Sequence, residues 1–256
     1  MSDWQPGLYL TFDKERTQPS IDLVARIDCN DPKRIIDVGC GPGNSTAVLK
    51  AKWPQAEIIG LDSSTAMIDE AKSKYPAMEW VCADAFSDLS DIGKFDIVFS
   101  SAAIQWIPDQ DKLLAKLYGM LNENGVLAAQ VPCTKHMAVQ IELDKLASTA
   151  KWKPLFADVS SHSAYSAETY YDILCGLTPD IDLWETRYFH VMQSHSDIVN
   201  WYSGTGLRPY LDCLDGGALA AEFLADFEAA LKIAYPIQAD GKVLFPFTRI
   251  FFMAKK

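Results

Sequence analysis

Short β-branched apolar runs alternate along the first half of the chain with segments whose apolar positions recur every three or four residues. Residues 34–38 (Arg-Ile-Ile-Asp-Val) form one such run and stop at Gly39, the pattern of a buried strand. Residues 44–53 follow, with Ala47, Val48 and Ala51 on one helical face and Pro54 just beyond the end. The alternation continues with a strand at 57–61, a helix at 65–75 capped by Ser63 or Ser64, and a strand at 78–82. A strand at 95–99, a helix at 109–121 and a strand at 126–131 complete it. This spacing predicts parallel βαβ units with right-handed crossovers. Helices on both faces of the sheet explain strands that are apolar nearly throughout.

The last third changes character. A helix at 164–174 and a long strand at 181–192 lead into a largely helical stretch, 194–235, broken at Pro209 and at Gly216-Gly217. A final strand spans 243–254, so a helical insertion separates the last two strands. Residues 1–30 form an accessory piece, a loop followed by a helix at 19–27. The chain reads as one domain: an N-terminal lid segment (1–30), an α/β core (31–133, 164–193 and 242–256) and a helical cap (194–241).

Composition narrows the function classes. With 49% apolar residues over 256 positions the chain can bury a core, which excludes a disordered segment. Its 23 basic against 34 acidic residues give a net charge of −11, which opposes non-specific binding to nucleic acid. Apolar runs have strand length and predict no membrane span. The N-terminus lacks the basic and apolar regions of a signal peptide, so a cytoplasmic chain is expected. Six scattered cysteines (29, 40, 82, 133, 175, 213) read as buried free thiols, and four histidines without metal spacing predict no metal.

The chemistry concentrates at three strand ends. Asp37-Val-Gly39-Cys-Gly41-Pro-Gly43-Asn44 follows the first strand and opens a helix. Glycines let the backbone turn sharply and approach a ligand, and the helix N-terminus offers unpaired N–H groups. Asp62 ends the second strand, where a carboxylate can accept both ribose hydroxyls of a nucleoside cofactor. Ala83-Asp84-Ala85-Phe86 follows the third, placing an acid and an aromatic where an adenine would lie. Each feature alone also suits an ordinary tight turn or a helix cap. The order and spacing of all three favour a nucleotide-type cofactor. The third glycine of G-x-G-x-x-G is replaced by Asn44, which argues against a nicotinamide enzyme.

Ile-Asp-Val-Gly-Cys-Gly-Pro-Gly-Asn, with Asp62, Asp84 and Phe95-Asp-Ile-Val-Phe-Ser100, resembles the class I S-adenosylmethionine-dependent methyltransferases. Ser2-Asp-Trp-x-Pro-x-Leu-Tyr-Leu10, Glu15-Arg16, Gly41-Pro-Gly-Asn-Ser-Thr46, Asp62-Ser-Ser and Gln105-Trp106 further resemble the trans-aconitate 2-methyltransferases. So do Tyr170-Tyr-Asp-Ile-Leu174 and Thr205-Gly-Leu-Arg-Pro209. The likeness runs through essentially the whole chain and is weakest over residues 133–162. It implies a Rossmann-like methyltransferase fold: a mostly parallel, doubly wound, seven-stranded α/β sheet with the last strand antiparallel, plus a helical lid insertion.

The resemblance also implies roles. Gly39, Cys40 and Gly41, with Asn44 opening the helix, would pack against the methionine part of S-adenosyl-L-methionine. Asp62 and Ser63 would hold the ribose; Met67, Asp84, Ala85 and Phe86 would surround the adenine, although a helical Met also suits a core. Ser100, Ser101 and Ala102 would face the sulfonium, with Gln105 and Trp106 beyond, and Tyr9 and Arg16 would close from the N-terminal segment over the cofactor's methionine end. The acceptor would be a small polycarboxylate, for which bidentate arginines are the natural partners. Arg16, Arg208 and Arg249 are the candidates. Arg249 interrupts an apolar strand, as an inward ligand or an outward edge residue. Trp106 and Tyr202 would join the pocket wall; for Tyr202, as for Trp201 and His195, cap packing is the competing role. No catalytic base is required, because the acceptor carboxylate is already ionised. S-adenosyl-L-homocysteine would be the second product. Three alternatives stay open: a different acceptor (a phenol, an amine or another acid), a nicotinamide oxidoreductase, and a non-catalytic module of the same fold. The sequence leaves oligomeric state unassigned.

Overall fold

The computed structural model describes residues 12–157, 159, 164–214 and 216–256. The elements in chain order are α1 (Asp13–Arg26), β1 (Arg34–Val38), α2 (Asn44–Lys52), β2 (Glu57–Asp62), α3 (Thr65–Lys74), β3 (Glu79–Cys82), β4 (Phe95–Ser101) and α4 (Gln110–Gly119). They continue as β5 (Leu121–Pro132), α5 (Ala138–Ala147), α6 (Ala167–Cys175), β6 (Ile181–Met192), α7 (His195–Ser203), α8 (Arg208–Cys213), α9 (Gly217–Ala234) and β7 (Val243–Lys255). The strands form one seven-stranded sheet in the order β3-β2-β1-β4-β5-β7-β6. Neighbours among β1 to β5 run parallel, and β7 runs antiparallel to both β5 and β6. The expected α/β sheet with a reversed last strand is therefore present.

Strand order reverses between β1 and β4. In open α/β sheets that switch point leaves a crevice beyond the carboxyl ends of the strands. Period-two alternation sends Ile36, Val38, Val98 and Leu127 to one face, where Leu113, Leu114, Leu117 and Leu174 cover them. Ile35, Ile97, Phe99 and Phe251 point to the other, under Leu23, Val24 and Leu49. A separate core lies beyond the sheet's carboxyl end. There Phe223, Phe227 and Leu231 make the buried stripe of α9 and pack with Trp152, Trp201 and Phe245.

Several expectations needed correction. α1 begins at Asp13, six residues earlier than the sequence suggested, with Pro19 inside it. β5 starts at Leu121, not 126, because Leu121 pairs with Phe95 across a register shift and Asn124 adopts φ 64°. α5 was not anticipated, although Val139, Leu143 and Leu146 carry a helical stripe. Pro209 sits in the first turn of α8, where its missing N–H costs no helical bond; the chain breaks before it, at 204–207. The cysteines are all free, but only Cys40 is buried. Cys82, Cys175 and Cys213 are exposed, each the last residue of its strand or helix. No described helix is long and apolar enough to cross a membrane.

Candidate active site

The turn after β1 depends on glycine for space as well as for φ. Gly39 has φ +73°, and a Cβ there would lie 2.1 Å from the Ala103 Cβ. Gly43 has φ +89° and would meet the Trp80 ring at 2.6 Å. Gly41, at φ +53°, faces open space within 4 Å. The Gly39 and Cys40 amides donate to the Leu61 carbonyl at 2.7 and 3.0 Å, which staples the turn to β2. Asp62 completes the clamp: its Oδ2 accepts from the Gly41 amide and its Oδ1 from the Ser64 amide, both at 2.9 Å. Behind the turn, Asp37 is fully buried and accepts from Ser45 Oγ (2.6 Å) and Thr46 Oγ1 (2.7 Å). Burial pushes its carboxyl up to about 6, against the pull of those two hydroxyls.

A cavity of about 860 Å³ opens over this turn and wraps the carboxyl edge of the sheet. Its lining brings together Gly39, Cys40, Gly41, Asn44, Asp62, Ser63, Met67, Asp84 and Ala85. Ser101, Gln105 and Trp106 also line it, as do Arg16, Tyr202 and Arg249. Asn44 is also tied to Asp13 and to Lys74, whose Nζ donates to Asn44 Oδ1 at 2.9 Å.

Other expected residues lie elsewhere. Ser100 is fully buried and donates to the Val38 carbonyl at 2.8 Å, because strand alternation turns Ser101 to the cavity instead. Phe86 is 41% exposed and outside the lining; its amide donates to Asp84 Oδ1 at 2.7 Å in a turn that carries the ring away. Arg208 is outside the lining too, since the loop presents Thr205, Gly206 and Pro209 while Leu207 plugs the cap core. His195 bonds through Nε2 to the Tyr235 carbonyl at 2.7 Å and packs within the cap, away from the cavity. Tyr9 lies outside the described residues.

The two arginines of the cavity are strongly positioned. Arg249 is 4% exposed on β7, an interior strand, which removes the outward edge reading. Its Nη1 donates to Gln130 Oε1 at 3.0 Å, and its guanidinium lies 5.0 Å from the Phe247 ring. Arg16, 8% exposed, stacks 4.5 Å over the Trp201 ring and donates to the Trp201 carbonyl at 3.0 Å. Burial and the charges of Arg249 and Arg16 together push His190 down to about 4. Sequence reading missed Gln130 and Ser20. Gln130 Nε2 donates to Ser101 Oγ at 2.7 Å, and Ser101 bonds Ser20 Oγ at 2.7 Å, so one amide locks Ser101 and Arg249 together. A glutamine inside the apolar run 126–131 was the available signal. Tyr202 donates to Gln140 Oε1 at 2.6 Å, and burial pushes its phenol up, so it remains a neutral wall. Among the described residues, no three His, Cys, Asp or Glu side chains gather as a metal site would.

A methyltransferase domain family matches residues 35–125. The trans-aconitate 2-methyltransferase of Escherichia coli is 38% identical over 256 residues, spanning 100% of this chain and 99% of its own. That of Methylobacterium radiotolerans is 39% identical over 260 residues, with the same coverage. Among solved structures, the YcgJ protein from Bacillus subtilis superposes with a TM-score of 0.62 at 15% identity, covering 93% of this chain and 98% of that one. Sheet order, the single reversed strand and the domain match make this chain a class I S-adenosylmethionine-dependent methyltransferase. Similarity over the full length carries the assignment further. The chain belongs to the trans-aconitate 2-methyltransferase family.

Proposed function

We propose that the protein transfers a methyl group from S-adenosyl-L-methionine to a carboxylate of trans-aconitate, giving the methyl ester and S-adenosyl-L-homocysteine. The observation that carries this reading is one cavity lined both by Asp62 and Asp84 and by two buried arginines, Arg16 and Arg249. The full-length relatives named for that acceptor support it.

The residues present suit the cofactor. Open space over Gly41 admits a ligand against the backbone, and Asp62, held rigid by two amides, would accept from the ribose hydroxyls. Asp84 and Ala85, with Met67 across from them, would bound the adenine. When bound, the cofactor supplies a sulfonium methyl that a carboxylate oxygen can take by in-line displacement. Arg16 and Arg249 would hold the acceptor's carboxylates by charge-assisted hydrogen bonds and overcome, locally, the field of a chain of net charge −11. Trp106 and Tyr202 would close the wall beside them. No side chain has to remove a proton, since the acceptor is ionised at neutral pH. The protein's work is orientation and exclusion of water. No metal enters this scheme, and a cytoplasmic setting suits a chain with six free thiols.

A labelled-methyl assay with trans-aconitate, cis-aconitate, citrate and isocitrate tests the proposal. The highest kcat/KM is expected for trans-aconitate. Equal inactivity on all four would overturn the acceptor assignment, and with it the role given to the arginines.

A further inference from the structure

β6 lies at one end of the sheet, and among the described residues no strand pairs with its outer side. Edge strands template pairing with other chains, and proteins usually blunt them with short length, charged side chains, Pro or bulges. Of these β6 carries only charges, Asp182, Glu185 and Arg187. It runs twelve residues, Ile181–Met192, contains no Lys, Pro or Gly, and pairs with β7 in unbroken register. Large apolar side chains stand exposed along it: Phe189 at 58% and Val191 at 56%, beside Leu244 of β7 at 36%.

The odd-numbered face of this strand is matched about Thr186: Glu185 mirrors Arg187, Leu183 mirrors Phe189, and Ile181 mirrors Val191, while on the other face Trp184 mirrors Tyr188 and Asp182 mirrors His190. An antiparallel pair related by a twofold axis places each residue opposite its mirror position on the other copy. Residues of odd number share one face. On that face two salt bridges, Glu185 to Arg187 of the partner subunit and the reverse, would be flanked by apolar pairs on either side. The opposite face is already fastened within the chain. There Tyr188 Oη donates to Asp22 at 2.6 Å, and Arg26 lies 4.1 Å over the Trp184 ring.

We propose that β6 is a homodimer interface, with two copies of this chain joined antiparallel edge to edge across a twofold axis at Thr186, making one continuous sheet of both subunits. The pairing is isologous: each copy offers the same strand, and the Glu185–Arg187 complementarity sets the register. Thr186 is registered with Arg249 of β7 and Glu185 itself lines the cavity, so this edge borders the site.

Sedimentation velocity of the full chain, from micromolar to hundreds of micromolar, tests the proposal with a charge swap. The wild type is expected to shift to twice the single-chain mass as concentration rises. Arg187→Glu sets like charges opposite each other twice, and is expected to weaken association on the order of tenfold or more. Glu185→Arg creates the same clash from the other side. The double variant E185R/R187E restores opposite charges and is expected to return to within a few-fold of wild type. A wild type of single-chain mass throughout would overturn the proposal. So would association untouched by Arg187→Glu, or a double variant that stays dissociated.

Discussion

On the proposed function, Asp62 serves the cofactor and Arg249 the acceptor, and their loss should separate two kinds of binding. Asp62→Ala removes the clamp on Gly41 and, on that reading, the acceptor for the ribose hydroxyls together. It is expected to weaken S-adenosylhomocysteine binding by roughly 10- to 100-fold, since hydrogen bonds to a charged group contribute about 1.5–3 kcal/mol. Arg249→Gln should instead raise the KM for trans-aconitate about tenfold or more and leave the cofactor Kd within a few-fold. Isothermal titration and initial rates on both variants measure the split. Asp37 provides a pH test. Its carboxyl sits at about 6 in the folded chain, above the unfolded value of about 4. A raised carboxyl takes up a proton on folding between these values, so its stabilising contribution is full below about pH 4 and lost as pH rises through 6. Asp37→Asn lacks that slope. Between pH 4 and pH 7 the ligand-free wild type should lose about 2–3 kcal/mol relative to the variant in urea titrations. The glycine turn, Asp62 and Asp84 were legible because each directly follows a strand run. Ser100 and Ser101 were not separable, since a one-residue alternation needs the sheet register to decide it.

The turn after β1 and helix α9 carry the most specific demands among the elements. Gly39→Ala would press a Cβ into Ala103 at a φ that L residues rarely adopt. A loss of about 1–3 kcal/mol of stability is expected, read by denaturant unfolding. Phe223 anchors the cap core against Trp152 at 5.0 Å and Phe156 at 4.9 Å. Phe223→Ala should cost about 3–5 kcal/mol and raise acceptor KM more than cofactor Kd, because Trp201 and Arg16 hang on that core. Central elements were readable because their apolar periodicity is local. The environment of Arg249 was not, because β7 inserts between β5 and β6 out of chain order. The apolar run 243–254 marks a buried strand but does not say which strands flank it.

Sheet and cap meet over one cavity, so ligand and fold stability are linked throughout the molecule. S-adenosylhomocysteine at a hundred times its Kd is expected to add about 2.7 kcal/mol to the stability of the folded chain, visible as a raised Tm. Asp62→Ala should lose most of that gain at the same concentration. A ternary crystal structure with S-adenosylhomocysteine and trans-aconitate bears most directly on how the cavity is shared. The adenosine is expected against Asp62 and Asp84, and acceptor carboxylates against Arg16 and Arg249. Acceptor density away from both arginines, or adenosine density outside the crevice between β1 and β4, would contradict it.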